Sequence, residues 1–353
     1  KDIDIRVEEK NFLNAKIGAG WSDSDSLAGM IELTHSNMDI LDPYNYFTGG
    51  GQRARILAMY GLKRYNFEAD FTEPWLFGIP LRWDVSGYLR NVEYDDWEEQ
   101  RIGVTTALTK RIFDDFTTIS GGYTFEHVRI HSMNKHMSEV FQKEKGGSYV
   151  GRFHLSLERD TRDNALDPTS GYMVNLLGSV SSELFGGTNN YYRLELKGMN
   201  YYSIFDKMFI WSIGGKIGMI GSIGDWKKDP PLYERYFLGG GDSVRGFPYR
   251  SIGPTDRNKD NYGGDFMYVL TSEISHPIWD FVRGAVFIDV GNATHSRFGP
   301  FSSPNIGVGY GLRIKLPVVN APIRLDLAYP LLNNQRGVAN RIRFHFSMGL
   351  SMF

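Results

Sequence analysis

The chain has 353 residues, a net charge of −2 and no cysteine. This charge gives no electrostatic reason to expect nucleic acid binding, and the lack of cysteine excludes disulfides, thiolate catalysis and thiolate metal sites. No run of 18 apolar residues is present, so a transmembrane helix is not expected, whereas strands that alternate polar and apolar residues can cross a membrane with no such run.

The first ten residues differ from those that follow. KDIDIRVEEK, residues 1–10, alternates in hydrophobicity but is highly charged. We interpret it as the closing strand of a small soluble domain that precedes a β-barrel over residues 11–353. Because the chain begins with Lys1 rather than methionine, we expect a mature or trimmed product.

Alternation with a period of two runs through most of residues 11–353. In PNIGVGYGLRIKLP, residues 304–317, the apolar residues from Ile306 to Leu316 share one face, while glycines, Arg313 and Lys315 share the other. This period predicts strands with one apolar face. The predicted strand centres lie near residues 17, 30, 57, 68, 85, 105, 122, 154, 175, 195, 214, 269, 286, 311, 326 and 347.

A soluble all-β fold would alternate in the same way. Strands of roughly ten residues, with aromatic residues near their ends, favour a membrane barrel. The sequence therefore predicts an all-β fold, a transmembrane antiparallel β-barrel of about 16 strands, an even number as in bacterial single-chain barrels. With both chain ends in the periplasm, residues 132–146 and 222–263 become external loops.

The longest of these loops contains an arginine in apolar surroundings, for which an acidic partner is expected. In FLGGGDSVRGFPYR, residues 237–250, Arg245 lies among Val244, Gly246 and Phe247. Two acidic residues, Glu273 and Asp289, are predicted to face the lumen from the next two strands. A guanidinium group can bind carboxylates in a bidentate manner. We therefore predict that this loop folds into the barrel and that Arg245 binds both acids.

The aromatic residue of the same motif is also expected inside the barrel. Phe247 is predicted to pack against the inner wall, and inward-facing Phe287 is its expected partner. No H-E-x-x-H, G-x-S-x-G or Walker sequence is present, so the sequence predicts no enzyme, no cofactor and no metal site.

Taken together, these segments resemble a known family. YERYFLGGGDSVRGFPYRSIGP, residues 233–254, closely resembles the sixth extracellular loop of the BamA family, the central subunits of the bacterial β-barrel assembly machinery. FIDVGN and TSEIS resemble the family's two acidic strands, and NYFTGGGQ, FTEPWLFGIP and RDTRDNALDPTSGYMVNL resemble its connections. KDIDIRVEEK is similar to the end of the last POTRA domain, a periplasmic module that full-length members carry in several copies.

The resemblance implies an outer-membrane protein of a Gram-negative bacterium that folds and inserts other β-barrels, without ATP, through a lateral seam between its first and last strands. The implied partners are unfolded outer-membrane barrel substrates, periplasmic lipoproteins of the assembly complex and outer-membrane lipid. The glycines of the first strand weaken it. The predicted seam residues are Ile17, Gly18, Ala19, Gly20, Phe346, Met348, Gly349, Leu350 and Phe353.

Two other functions remain open at this point. One is a two-partner secretion translocator, which exports a polypeptide through the lumen and carries a similar loop motif. The other is a passive porin, which needs an open lumen.

Overall fold

The computed structural model describes residues 12–22, 26–94, 97–133, 139–224, 229–256, 258–295, 301–315 and 323–348. The segment 1–10, interpreted above as the end of a preceding domain, lies outside these ranges. No helix in the described ranges is both long enough and apolar enough to span a membrane.

Sixteen strands form one antiparallel sheet in sequence order. Their bounds are β1 Leu13–Ser22, β2 Ser26–Met38, β3 Gln52–Gly61, β4 Arg64–Glu73, β5 Leu81–Glu93, β6 Glu98–Arg111, β7 Thr117–His131, β8 Gly146–Asp160, β9 Gly171–Ser181, β10 Tyr191–Ile204, β11 Phe209–Ser222, β12 Phe266–Trp279, β13 Val282–Thr294, β14 Asn305–Ile314, β15 Ile323–Leu332 and β16 Arg343–Met348. A single helical turn, α1 Glu139–Gln142, lies between β7 and β8. The prediction of sixteen strands is confirmed, and each predicted centre lies within one of them.

The first and last strands of the sheet lie next to each other, with Cα atoms of β1 and β16 within 8 Å. The sheet is therefore curled into a barrel. Side chains alternate between the two faces as predicted. On β13, Val286 is 56% and Ile288 41% exposed on the outside, while Phe287 and Asp289 are buried in the lumen. The outer face is therefore apolar and the inner face holds charged groups.

Two residues on the outer face of β12 are covered by another part of the chain. The period of two places Phe266 and Tyr268 on the same lipid-facing side as Leu270 and Ile274, but both are buried. The ring of Phe301, from the connection between β13 and β14, covers them at centroid distances of 6.3 and 5.1 Å. A loop distant in sequence thus covers part of the outer face.

Aromatic residues cluster at the turns that join even-numbered strands to odd-numbered ones. Trp75, Phe77, Phe113, Phe205 and Trp279 are all highly exposed there. The three phenylalanines, Phe77, Phe113 and Phe205, have φ between 51° and 64°, a backbone conformation that residues with bulky side chains rarely adopt. This rim fits the aromatic band of membrane barrels.

The buried apolar core lies inside the barrel. The connection between β11 and β12, residues 223–265, is called loop 6 here because it is the sixth of the odd-to-even connections. Leu238, Val244 and Phe247 from this loop pack with Val128 and Val269 from the wall. Loop 6 therefore supplies much of the hydrophobic interior, and its predicted position in the lumen is confirmed.

Candidate functional site

Arg245 makes the central contacts of loop 6 with the barrel wall. Its Nε and Nη2 atoms donate to Oδ2 and Oδ1 of Asp289 at 2.7 and 2.8 Å, a bidentate pair. Its Nη1 donates to Oε2 of Glu273 at 2.9 Å. The structure thus brings together the three residues that the sequence predicted, and both Arg245 and Asp289 are fully buried.

The pair is supported by the backbone and by neighbouring groups. The amide nitrogen of Arg245 also donates to Asp289 Oδ2, at 3.1 Å, and the Thr271 hydroxyl donates to Oδ1 at 2.7 Å. The guanidinium carbon lies 3.3 Å from the centroid of the Phe287 ring, a cation–π contact. Burial opposes the charge of Arg245, but Asp289, Glu273 and Asp326 outweigh it and raise its pKa.

Phe287 therefore has a different role from the one expected. It was predicted to pack against Phe247, but its ring stacks on Arg245. Phe247 is fully buried and belongs to the apolar cluster with Val244 and Val269. The two aromatic residues consequently hold neighbouring parts of the same loop segment.

Two wall residues that the sequence did not single out complete the Arg245 site. Arg313 on β14 donates to Glu273 Oε1 and Oε2 at 3.0 and 2.6 Å, and to Asp326 Oδ1 at 2.7 Å. Asp326 Oδ2 lies 3.5 Å from Arg245 Nη1. Their strand alternation predicted their lumenal orientation, but their distance from Arg245 depends on barrel register. Arg245, Glu273, Asp289, Arg313 and Asp326 are called the Arg245 site below.

Glycines on the wall allow loop 6 to approach closely. A Cβ atom at Gly307 would lie 1.8 Å from the carbonyl oxygen of Arg245. Gly246 has φ of +91°, a conformation that glycine adopts without steric cost. Its amide nitrogen donates to His345 Nε2 on β16 at 2.9 Å. His345, another residue missed in the sequence, therefore connects loop 6 to the last strand.

The two terminal strands carry the predicted seam residues. On β1, Ile17, Gly18, Ala19 and Gly20 pair with β2. On β16, Phe346 pairs with Leu325 and Met348 with Ile323 of β15. β1 and β16 are the two ends of the strand order, and they lie next to each other. Gly349, Leu350 and Phe353 lie outside the described residues, so their assignment to the seam stays a prediction.

Comparison with known proteins places this geometry in a family. The Omp85 superfamily domain matches residues 46–352. The chain is 24% identical to the outer membrane protein assembly factor BamA of Nitratidesulfovibrio vulgaris, over 99% of this chain and 43% of that protein. It is 23% identical to BamA of Neisseria meningitidis, over 82% of this chain and 38% of that protein. The chain thus spans about two fifths of these bacterial relatives.

Similarity extends to a eukaryotic protein and to solved structures. The human sorting and assembly machinery component 50 homolog is 28% identical, over 80% of this chain and 62% of that protein. The crystal structure of Haemophilus ducreyi BamA lacking POTRA domains 1–3 has a TM-score of 0.81 at 19% identity, covering 96% of this chain and 70% of that one. CdiB from Acinetobacter baumannii has a TM-score of 0.60 at 12% identity, covering 95% and 59%. At these identities the structures support the barrel fold alone.

Proposed function

Because the chain belongs to the Omp85 superfamily, we propose that it is the barrel of an outer-membrane assembly factor in a Gram-negative bacterium. It folds other β-barrel proteins and inserts them into the outer membrane through the seam between β1 and β16. Both ends of the barrel chain lie in the periplasm. Its partners are unfolded barrel substrates, periplasmic lipoproteins of the assembly complex and outer-membrane lipid.

The observation that carries this proposal is that β1 and β16, the two ends of the strand order, lie next to each other where the barrel closes. If this seam opens, backbone groups at the strand edges lose their partners, which is costly in lipid, where no water can bond to them. A strand of a substrate can satisfy these groups by adding to the edge of the sheet. The substrate's own folding and burial in lipid then drive insertion, so ATP is not needed.

The position of loop 6 supports an assembly factor over a porin. A porin requires an open channel, whereas loop 6 packs inside the barrel and is bound to the wall through the fully buried Arg245. A single-channel recording of the purified barrel should therefore show little steady conductance. A large, stable open state would indicate a passive pore.

Depletion of the protein in cells tests the proposed function. If the protein is an assembly factor, the abundance of many outer-membrane barrels falls together, as measured by quantitative mass spectrometry of outer membranes. If only one secreted polypeptide is lost while outer-membrane barrels keep their abundance, the protein is a two-partner secretion translocator instead.

A further inference from the structure

Glu234 is another buried charged residue of loop 6, opposite in sign to Arg245, and it faces a different part of the barrel wall. Glu234 lies in a short 3-10 helix, Leu232–Glu234, eleven positions before Arg245 in the sequence. Its side chain is 1% exposed. The carboxylate faces three arginines that extend from alternate strands: Arg101 on β6, Arg152 on β8 and Arg193 on β10.

The contacts to this carboxylate are close. Arg193 Nη1 donates to Oε2 at 2.9 Å, and Arg152 Nη1 lies 3.3 Å from both oxygens. Arg101 Nη1 lies 3.5 Å from Oε1, and its Nη2 donates to the carbonyl oxygen of Tyr233 at 2.7 Å. Burial opposes ionisation of Glu234, but the charges of Arg152, Arg193 and Arg101 outweigh it and lower the pKa of Glu234. The carboxylate is therefore charged in the folded protein.

Among the ion pairs of the described residues, the wall network around Glu234 and the wall network around Arg245 each carry one charge in excess, and loop 6 supplies the opposite charge. Near Glu234, ion pairs connect four basic wall residues to three acidic ones: Arg101, Arg152, Arg193 and Lys216 with Glu99, Glu126 and Glu195. Near Arg245 there are three acidic wall residues and two basic ones. Glu273 and Asp326 pair with Arg313, Asp326 also pairs with Arg324, and Asp289 pairs with Arg245 itself. A buried unbalanced charge is strongly unfavourable. Loop 6 supplies the missing negative charge on one wall and the missing positive charge on the other.

The apolar packing around Leu232 differs from that around Val244. Leu232, next to the Glu234 site, packs with Trp97, Ile130 and Phe141, which come from the β5–β6 and β7–β8 region. Val244, next to Arg245, belongs to a different buried cluster. The cluster of Val244 also includes Tyr236, whose hydroxyl accepts from Arg193 Nε at 3.2 Å, so the two parts of the loop are separated by their ion-pair networks and only in part by their apolar packing.

We propose that Glu234 is a second positioning residue, which holds the first part of loop 6 against β6, β8 and β10 independently of the Arg245 site. The first part of the loop then stays in the lumen when the contacts near β12–β15 are released. The purpose of this second attachment rests on the proposed function. It keeps the lumen closed while the strands next to the seam move during insertion.

Site-specific labelling tests this independence, because the chain has no cysteine of its own. Two single-cysteine reporters are built at buried positions, Leu232→Cys near Glu234 and Val244→Cys near Arg245. Each is reconstituted in phospholipid vesicles and treated with a membrane-impermeant maleimide. Glu234→Gln should accelerate labelling at position 232 by about tenfold or more, as expected for loss of bonds to a charged group, and leave position 244 unchanged. Arg245→Gln should do the reverse.

Asp242→Asn is the matched control, since it removes a carboxylate from an exposed position in the same loop; both reporters should keep their parent rates. The proposal would be overturned if either variant accelerated labelling equally at positions 232 and 244. It would also be overturned if Glu234→Gln left the labelling rate at position 232 the same as in the parent reporter. If Glu234→Gln does not fold, Arg193→Gln should also accelerate labelling at position 232, but by a smaller factor, because Arg101 and Arg152 still bind Glu234. Labelling needs no substrate protein. The attachment of loop 6 can therefore be tested independently of the proposed insertion activity.

Discussion

Replacing Arg245 with alanine should destabilise the barrel chiefly by leaving Asp289 charged, buried and short of partners. Asp289 loses its bonds to Nε and Nη2, at 2.7 and 2.8 Å, and keeps those from the backbone amide and Thr271. Glu273 keeps both of its bonds to Arg313. Breaking a buried ion pair in this way costs about 3–5 kcal/mol.

A double-mutant cycle isolates the contribution of Asp289. In an Asp289→Asn background the carboxylates that remain, Glu273 and Asp326, keep Arg313 as a partner, so Arg245→Ala should cost only about 2 kcal/mol, as for hydrogen bonds that involve a charged group. The coupling energy between the two positions is then about 1–3 kcal/mol. Arg245→Lys should give an intermediate loss, because an ammonium group cannot bind the carboxylate in a bidentate manner.

The free energy of unfolding can be measured by urea titration of the barrel in lipid vesicles, followed by fluorescence of its seven tryptophans. Arg336→Ala, at an exposed position outside loop 6, is the control, and a change within about 0.5 kcal/mol is expected. Equal costs of Arg245→Ala in the two backgrounds would refute the reasoning, since they would mean that Asp289 is not the group left unpaired.

Three further predictions concern other parts of the barrel. Gly307→Ala should weaken loop 6 binding and lower the melting temperature, because its Cβ would clash with the loop backbone, whereas Gly87→Ala, with open space around it, should not. His345→Leu should also lower the melting temperature, and His345→Gln should restore part of the loss because an amide oxygen can accept the loop's N–H. Hydrogen bonds from the side chain and backbone of Thr169 lower the pKa of Asp163 from its ordinary value of 3.8. The stability that these bonds give is therefore present above that value and lost as the pH falls below it, and Asp163→Asn should flatten the melting temperature between about pH 2 and 5.

The barrel and the Arg245 site could be predicted because both depend on a period of two. Alternation alone placed Glu273 and Asp289 on the lumenal face of adjacent strands, and the glycines around Arg245 indicated an unusual loop. The contacts with Asp326 and His345 could not be predicted in this way. They lie on β15 and β16, and their distance from loop 6 depends on the register and closure of the whole barrel.

Long-range packing explains the remaining differences. Phe266 and Tyr268 follow the outward pattern, but Phe301 covers them from another connection. Glu234 lies in a loop, where no periodicity indicates which wall a side chain faces. Its three arginines come from strands separated by up to about ninety positions in the sequence, and only the folded barrel brings them together.

A reversible disulfide between β1 and β16 tests the proposed insertion seam most directly. Cysteine pairs introduced on the two strands, in a chain with no cysteine of its own, are oxidised in vesicles and insertion of an added barrel substrate is measured. The proposal predicts that oxidation abolishes insertion and that a reductant restores it, while a pair joining β1 to its ladder partner β2 leaves insertion unchanged. Full insertion activity with β1 and β16 covalently joined would contradict it.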